Sequence, residues 1–176
     1  VREQAARSVD IIKIWVDTRG GTVAKFPLEL AAAVIDEAHN VGQRVTAHIY
    51  ELADAKELLR AGIDSFAHGI RDTDVDEEII ELFKERPNFV LAPNLPGRGV
   101  PTDLSWLSDS LSAEEMESLQ ASNVENPRSQ AAFAIQARNL ARLSAEGVKI
   151  ALGSDGNSAW TPHVEMEDMA MTGMTP

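Results

Sequence analysis

The sequence has 176 residues, which is enough for a hydrophobic core but fewer than the roughly 250 of a complete (β/α)₈ barrel. Its formal net charge of −12 argues against a surface for nucleic acid or anionic lipid, and no apolar run is long enough to predict a transmembrane helix. There is no cysteine, so disulfides and thiolate metal sites are excluded, and any metal must be bound by histidine, carboxylate or a modified lysine.

Short β-branched runs and longer amphipathic stretches alternate through the first half of the chain. Apolar residues spaced three and four positions apart predict helices, and compact apolar runs predict buried strands. Gly42 and Gly62 stand where helices should end. The predicted elements are a strand at 11–16, a helix at 28–41, a strand at 44–48, a helix at 52–61, a strand at 63–68, a helix at 76–86 and a strand at 88–92.

A long loop separates these elements from the rest of the chain. Residues 93–111 carry three prolines and two glycines, a composition typical of irregular structure. Ser112 and Glu115 form a capping-box pattern that predicts a short helix. Asn126 followed by Pro127 predicts the start of a helix that runs to about residue 145. A last strand is predicted at 148–152 and a last helix at 161–171.

This alternation of strands and helices predicts an α/β fold. Short connections between successive strands imply a parallel sheet with right-handed crossovers. Either an open doubly wound sheet or part of a barrel satisfies the pattern. The run Arg19-Gly20-Gly21-Thr22 does not match the phosphate-binding fingerprint G-x-G-x-x-G of the doubly wound folds, so it receives no such role.

Four predicted strands each carry one ionisable residue within or just beyond the C-terminal end: Lys13, His48, His68 and Asp155. Taken singly, each has an ordinary explanation, since a histidine can be a hydrogen-bonding residue, a lysine can extend to a strand end and an aspartate can form a turn. Taken together they indicate a functional cluster, because the C-terminal ends of parallel strands face the same mouth. A lysine in a buried apolar strand also has to be paired, neutralised or modified.

These residue types suit a metal-dependent hydrolase. Imidazole nitrogen and carboxylate oxygen bind Zn²⁺ and similar ions. A bound metal lowers the pKa of its water to about 7, and a neighbouring carboxylate can accept the proton and pass it to a leaving group.

At these positions the sequence resembles the amidohydrolase superfamily, in particular its imidazolonepropionase/prolidase-like group. The resemblance rests on the ordered set of segments Val9-Asp10-Ile11-Ile12-Lys13-Ile14, Asp36-Glu37-Ala38-His39, Val45-Thr46-Ala47-His48, Ala61-Gly62-Ile63-Asp64-Ser65-Phe66-Ala67-His68-Gly69, Val148-Lys149-Ile150-Ala151-Leu152-Gly153-Ser154-Asp155 and 166–176. It covers nearly the whole chain.

The resemblance implies a partial (β/α)₈ TIM barrel in which residues 1–176 are the C-terminal part of one catalytic barrel, truncated at both ends and containing strands four to eight. It implies one or two divalent metal ions, with zinc favoured. Lys13 would be carbamylated and bridge two metals, His48 and His68 would be metal ligands, and Asp155 would be both a ligand and the proton shuttle. The first-strand His-x-His pair of the family is absent, Ala67 stands where many relatives carry Glu, and Ser154 replaces a commoner Thr.

The expected activity is hydrolysis of a small molecule at an amide or cyclic-amide C–N bond, with Xaa-Pro dipeptides included by resemblance. An ester or lactone hydrolase, a deaminase and a non-catalytic half-barrel stay open as alternatives. Position near the mouth makes four residues candidate substrate contacts, although each is equally explained as an ordinary loop residue: Tyr50, Asn94, Arg98 and His163. We expect no nucleic-acid or membrane partner and a cytoplasmic location, and a homo-oligomer is left open.

Overall fold

The computed structural model describes residues 1–156 and 158–175, so Pro176, the last residue of the family resemblance, lies outside the described residues. In chain order the elements are α1 (Arg2–Ala5), β1 (Ile11–Val16), α2 (Leu28–Asn40), β2 (Arg44–Ile49), α3 (Leu52–Ala61), β3 (Ser65–Ala67), α4 (Glu77–Lys84), β4 (Val90–Ala92), a 3₁₀ helix (Ser105–Leu107), α5 (Ala113–Ser122), α6 (Pro127–Ala145), β5 (Lys149–Ile150) and α7 (Thr161–Met171). They fall into two compact units, one made of residues 1–95 with the described residues after 134, the other of residues 96–134.

The first unit contains one five-stranded sheet whose strands are all parallel and lie in the order β1-β2-β3-β4-β5. The α/β prediction and its parallel sheet are therefore confirmed. Each strand pairs with the next strand along the chain, without the reversal of order that marks the switch point of a doubly wound sheet. This sequential order is consistent with a segment of a barrel.

One face of the sheet packs against helices. Because alternate residues of a strand point to opposite faces, β-branched and aromatic residues at every second position are buried together. Phe66 of β3 packs edge to face with Phe83 of α4 and with Phe89, at ring-centroid distances of 6.3 and 4.9 Å. The buried set on this side includes Val16, Ile35, Ala47, Ile49, Leu58, Leu59, Phe66, Ile79, Ile80 and Leu91.

The opposite face is open over the part of the chain that the structure describes. Ile11, Lys13 and Trp15 of β1 are exposed there, and a groove of about 380 Å³ runs along the neighbouring strands, lined in part by Thr46 and Ala67. The expectation that Lys13 is buried in its strand is therefore wrong, because the Lys13 side chain is exposed. Its side chain projects from the face that no described element covers, so it incurs little desolvation.

The helices follow the sequence signals closely, whereas three strands are shorter than predicted. The capping box of Ser112 and Glu115 is formed, and Gly62 ends α3 with a φ of 104°. The apolar runs at 63–68, 88–92 and 148–152 are longer than the paired segments β3, β4 and β5, because residues such as Ile63 are buried by packing outside the ladder. The four-residue helix α1 was not predicted.

The second unit, residues 96–134, contains the 3₁₀ helix, α5 and the first turns of α6. Gly99 has a φ of 70°, and a Cβ atom there would lie 2.5 Å from the carbonyl oxygen of Asn126. That close approach allows the Asn126 N–H to donate to the Gly99 carbonyl oxygen at 2.8 Å, so glycine is required at this position. Throughout the described residues, no helix combines the length and apolar character needed to cross a bilayer.

Candidate active site

His48 and His68 come together at the C-terminal edge of the sheet. His48 is the second-last residue of β2, and His68 directly follows β3, which is hydrogen-bonded to β2. The two imidazole rings meet edge to face with centroids 4.2 Å apart, and each residue is only 4% exposed. Adjacent parallel strands therefore deliver the two histidines to one buried point, as the sequence pattern predicts.

The ring of His48 is oriented by groups that follow or belong to β1. Its Nε2 atom lies 3.2 Å from Oδ2 of Asp17, and Trp15 stacks on the ring at 3.5 Å with an interplanar angle of 11°. If the Asp17 carboxylate accepts the Nε2 proton, Nδ1 carries a lone pair. Nδ1 is buried and has no hydrogen-bond partner among the described residues. Burial lowers the pKa of His48, although the hydrogen bond to Asp17 opposes this shift, so the neutral ring is favoured.

His68 has a partner on each side of its ring. Nδ1 lies 3.2 Å from the side-chain amide of Asn94, and Nε2 lies 3.6 Å from Oδ2 of Asp155. The side-chain N–H of Asn94 donates to Nδ1, so the neutral ring carries its proton on Nε2, which faces the Asp155 carboxylate. Burial, followed by the charge of Arg71, lowers the pKa of His68 to about 3, so this ring is neutral at neutral pH.

The loops after β3, β4 and β5 meet in a strained arrangement around His68. His68, Asn94 and Asp155 have φ values of 114°, 48° and 49°, in the region that non-glycine residues rarely adopt. A Cβ atom at Gly153 would lie 2.9 Å from the Asn94 side-chain oxygen and 3.2 Å from the Cβ of Ala92, so a glycine is needed there for the loops to approach. Such strain is concentrated at functional sites.

Helix α7 holds the Asn94 loop in place through a buried carboxylate. The backbone N–H of Leu95 donates to both carboxylate oxygens of Glu165, at 3.1 and 3.0 Å. Glu165 is 3% exposed, and burial raises its pKa to about 7. The position of the amide that contacts His68 thus depends on a residue about 70 positions away in the sequence.

Arg71 brings a positive charge to the same place. It lies three residues after His68, and its backbone N–H donates to the carbonyl oxygen of Tyr50 at 2.9 Å. Its guanidinium interacts electrostatically with Asp17, Tyr50 and Asp155, yet Nε and Nη2 are buried without a hydrogen-bond partner among the described residues. Burial lowers the pKa of Arg71, but a guanidinium remains charged in proteins.

The structure places the predicted metal ligands as follows. His48, His68 and Asp155 are adjacent, although the Asp155 side chain is 68% exposed. Lys13 lies on the open face of β1, paired in register with Thr46, and its charge contributes to the lowered pKa values of both histidines.

The predicted substrate contacts are more dispersed. Asn94 contacts His68, and Tyr50 is exposed directly after β2. His163 is exposed in the first turn of α7, and Arg98 belongs to the second compact unit.

Three functional candidates were missed by sequence reasoning: Asp17, Arg71 and Glu165. Asp17 directly follows β1 and so carried the same strand-end signal as the other site residues. Arg71 follows His68 closely, but nothing in the sequence indicates that it is buried. Glu165 is one of several acidic residues in α7 and carries no distinguishing signal.

The ring nitrogens of His48 and His68 suit the binding of a divalent metal better than a hydrogen bond between the two rings. Nδ1 of His48 is buried without a hydrogen-bond partner among the described residues, and nitrogen is a ligand that Zn²⁺ favours. Nε2 of His68 would offer a second nitrogen ligand in the tautomer that carries its proton on Nδ1. The carboxylate of Asp17 would then support the His48 ring from behind, as carboxylates commonly do for metal-bound histidines. Among the described residues no group of three or more His, Asp or Glu side chains is spaced to hold a metal by itself, so further ligands are needed.

Comparison with known proteins gives the same fold. No family model matches the sequence. Uncharacterized proteins of Mycobacterium bovis and Mycobacterium tuberculosis are 35% identical over 108 residues, which cover 55% of this chain and 28% of theirs. Among solved structures, a Xaa-Pro dipeptidase with bound methionine in its active site superimposes with a TM-score of 0.65 at 22% identity, covering 99% of this chain and 41% of that one.

Two further solved structures superimpose over nearly the whole chain. The A. niger ochratoxinase has a TM-score of 0.68 at 24% identity and covers 100% of this chain and 38% of its own, and molinate hydrolase has a TM-score of 0.63 at 19% identity and covers 98% and 40%. The chain thus spans less than half the length of these enzymes and less than a third of the mycobacterial proteins. As expected from its sequence resemblance, the chain has the same fold as the corresponding parts of these solved structures.

Proposed function

We propose that the chain contributes strands four to eight of a (β/α)₈ barrel to a metal-dependent hydrolase that cleaves amide or cyclic-amide C–N bonds of small molecules. The observation that carries this proposal is the pair of buried neutral histidines at the C-terminal edge, in which Nε2 of His48 and Nδ1 of His68 each face a fixed hydrogen-bond partner and Nδ1 of His48 has none among the described residues. The sequential parallel strand order and the superposition on a dipeptidase and on molinate hydrolase support it.

In this proposal His48 and His68 would hold a divalent metal through ring nitrogens, and zinc suits this donor set. When bound, the metal would provide an ionised water near neutral pH and a positive charge for the scissile carbonyl oxygen. Asp155, beside His68, accepts the proton of the attacking water and delivers it to the departing nitrogen, since an amine leaves poorly without a proton. Asp17 fixes the tautomer of His48.

Lys13 supplies the oxygen ligands if its amine is carbamylated. The uncharged amine attacks CO₂, an N–C bond forms, and one proton is released, which leaves an anionic group with two oxygens. Lys13 shares the open face with Thr46 and influences both histidines electrostatically, which is consistent with this role for one or two metal ions. Tyr50, Asn94, Arg98 and His163 remain candidate substrate contacts.

The test uses the full-length protein that contains this chain. Metal content is measured after purification, and hydrolysis is followed on a panel of N-acyl amino acids, Xaa-Pro dipeptides, cyclic amides, esters and lactones. The His48→Asn and His68→Asn variants should lose metal and C–N hydrolysis together. His39→Asn is the matched control, because His39 is an exposed helical histidine hydrogen-bonded to Asp64 at 2.9 Å.

Three results would contradict the proposal. One is a folded His48→Asn or His68→Asn protein that keeps full metal content and turnover. A second is an active enzyme that cleaves esters or lactones but no amide. The third is a metal-free, inactive full-length protein, which would favour a non-catalytic role.

A further inference from the structure

The side-chain amide of Asn94 has a hydrogen-bond partner for its nitrogen but not for its oxygen. The nitrogen donates to Nδ1 of His68 at 3.2 Å, whereas the oxygen is buried and has no partner among the described residues. This oxygen lies against Gly153, where a Cβ atom would be only 2.9 Å away. Because a buried acceptor without a partner is costly, its presence in a folded protein calls for an explanation.

The two neutral tautomers of His68 need opposite partners at Nδ1. With the proton on Nε2, which lies 3.6 Å from Oδ2 of Asp155, Nδ1 is an acceptor and takes the amide N–H of Asn94. A metal on Nε2 requires that nitrogen to be free of its proton, so the neutral ring then carries the proton on Nδ1 and needs an acceptor there. Half a turn of the Asn94 amide supplies that acceptor, because it exchanges the N–H for the unpaired oxygen.

The backbone on both sides of Asn94 is held by hydrogen bonds. Before it, the carbonyl oxygen of Pro93 accepts the Gly69 N–H at 3.0 Å, and after it, the Leu95 N–H donates to the carboxylate of Glu165. Asn94 itself has a φ of 48°, a left-handed conformation that asparagine adopts more readily than most residues. A change of partner at Nδ1 can therefore be confined to the side chain of Asn94.

We propose that Asn94 is a positioning residue that lets His68 change tautomer when a metal binds. Its amide donates to Nδ1 in the metal-free protein and accepts the Nδ1 proton when Nε2 holds the metal. One proton leaves Nε2 and one is taken up at Nδ1, so the ring stays neutral. The inference rests on the proposed function, since it concerns a ligand of the same metal site.

The experiment compares two variants of Asn94 in the full-length protein. Asn94→Asp removes the donor and keeps an acceptor, and aspartate also tolerates the left-handed backbone. Asn94→Gly removes both groups and adopts a φ of 48° without strain. The matched control is Asn88→Gly, which removes an exposed amide just before β4, whereas Asn94 lies just after that strand.

Four quantities are measured on each preparation. Nitrogen-15 chemical shifts of the His68 ring, assigned by their loss in His68→Asn, show which ring nitrogen carries the proton, with and without zinc. The dissociation constant of zinc is measured by competition with a chelator. Melting temperature and the KM for a cleaved substrate complete the comparison.

In the parent protein the His68 ring should carry its proton on Nε2 without metal and on Nδ1 with zinc bound. Asn94→Asp should place a proton on Nδ1 even without metal, because a carboxylate only accepts, and it should bind zinc at least as tightly as the parent. Asn94→Gly should hold neither tautomer and should weaken zinc binding by about 10- to 100-fold. Asn88→Gly should match the parent in ring shifts and zinc affinity.

The outcomes separate the inference from the proposed function. Zinc binding that is unchanged in Asn94→Gly, or weaker in Asn94→Asp than in Asn94→Gly, overturns the inference and leaves the proposed function standing. So does a zinc-loaded parent in which His68 keeps its proton on Nε2. If Asn94→Gly raises KM while zinc affinity and ring shifts stay at parent values, Asn94 is a substrate contact and the inference is wrong.

Two remaining outcomes are also decisive. If Asn94→Gly does not fold, Asn94→Asp decides by itself, and a metal-free ring without a proton on Nδ1 overturns the inference. A parent protein that binds no zinc and cleaves no C–N substrate contradicts the proposed function, and the inference falls with it.

Discussion

Replacing Glu165 with glutamine should change how the stability of the protein depends on pH. Glu165 is 3% exposed, and both of its carboxylate oxygens lie within hydrogen-bond distance of the Leu95 N–H. Burial, which disfavours the charged carboxylate, and to a lesser extent the nearby charge of Asp168, raise its pKa from 4.5 to about 7. Glutamine preserves the shape and one acceptor oxygen but cannot ionise.

The sign and size of the effect follow from this pKa. Below pH 4.5 the group is protonated in both the folded and the unfolded protein, so its full contribution to stability is present. As the pH rises toward 7, the unfolded protein releases the proton while the folded protein keeps it, and the free energy of unfolding falls. At about 1.4 kcal/mol per decade of proton affinity, the total loss above pH 7 is about 3 kcal/mol. Between about pH 5 and 8, the glutamine variant should therefore gain about 2 to 3 kcal/mol relative to the parent.

The assay is urea unfolding of the full-length protein and its variants over that pH range, with the difference between variant and parent taken at each pH. Taking the difference removes every other titrating group, and the lost acceptor oxygen adds only a pH-independent offset. A Glu165→Gln curve that stays parallel to the parent curve from about pH 5 to 8, to within about 0.5 kcal/mol, would refute the reasoning.

Three further predictions concern the reaction and the core. In the full-length enzyme, Asp155→Asn should lower kcat by about two to four decades, because the variant retains the shape but cannot carry the proton. Metal content and melting temperature are measured on the same preparation, and near-normal kcat in a folded, metal-replete variant would remove Asp155 from the mechanism. Lys13→Ala should lower both metal content, measured by elemental analysis, and turnover, and a short carboxylic acid should restore part of each; unchanged metal and rate would make Lys13 structural. Asn139→Leu should destabilise the protein by about 3 kcal/mol or more in urea unfolding. The Asn139 side chain accepts the Val75 N–H at 2.8 Å and donates to two carbonyl oxygens of the loop 70–73, and leucine would leave all three groups without a partner. A loss below about 1 kcal/mol would show that water satisfies that loop.

Much of the local structure was predictable because its causes are local. The capping box at Ser112, the first-turn proline at Pro127 and the left-handed glycine at Gly62 each act within a few residues, and the helices begin or end where these signals stand. The ends of the strands were less predictable. An apolar run indicates which residues are buried, whereas a strand is defined by backbone hydrogen bonds to a neighbouring strand. Residue Ile63 is buried yet lies outside β3.

The sequence by itself determined that His48, His68 and Asp155 would lie at one edge, because consecutive parallel strands end on the same side of a sheet whatever the details of packing. Only the tertiary structure decided which partners these residues meet. Asp17 contacts His48, and the guanidinium of Arg71 is buried. Glu165 accepts a hydrogen bond from the Leu95 N–H, 70 positions earlier in the sequence. A pKa or an unpaired donor depends on how much water and which charges surround a group, and that environment is created by side chains that only the folded chain brings together.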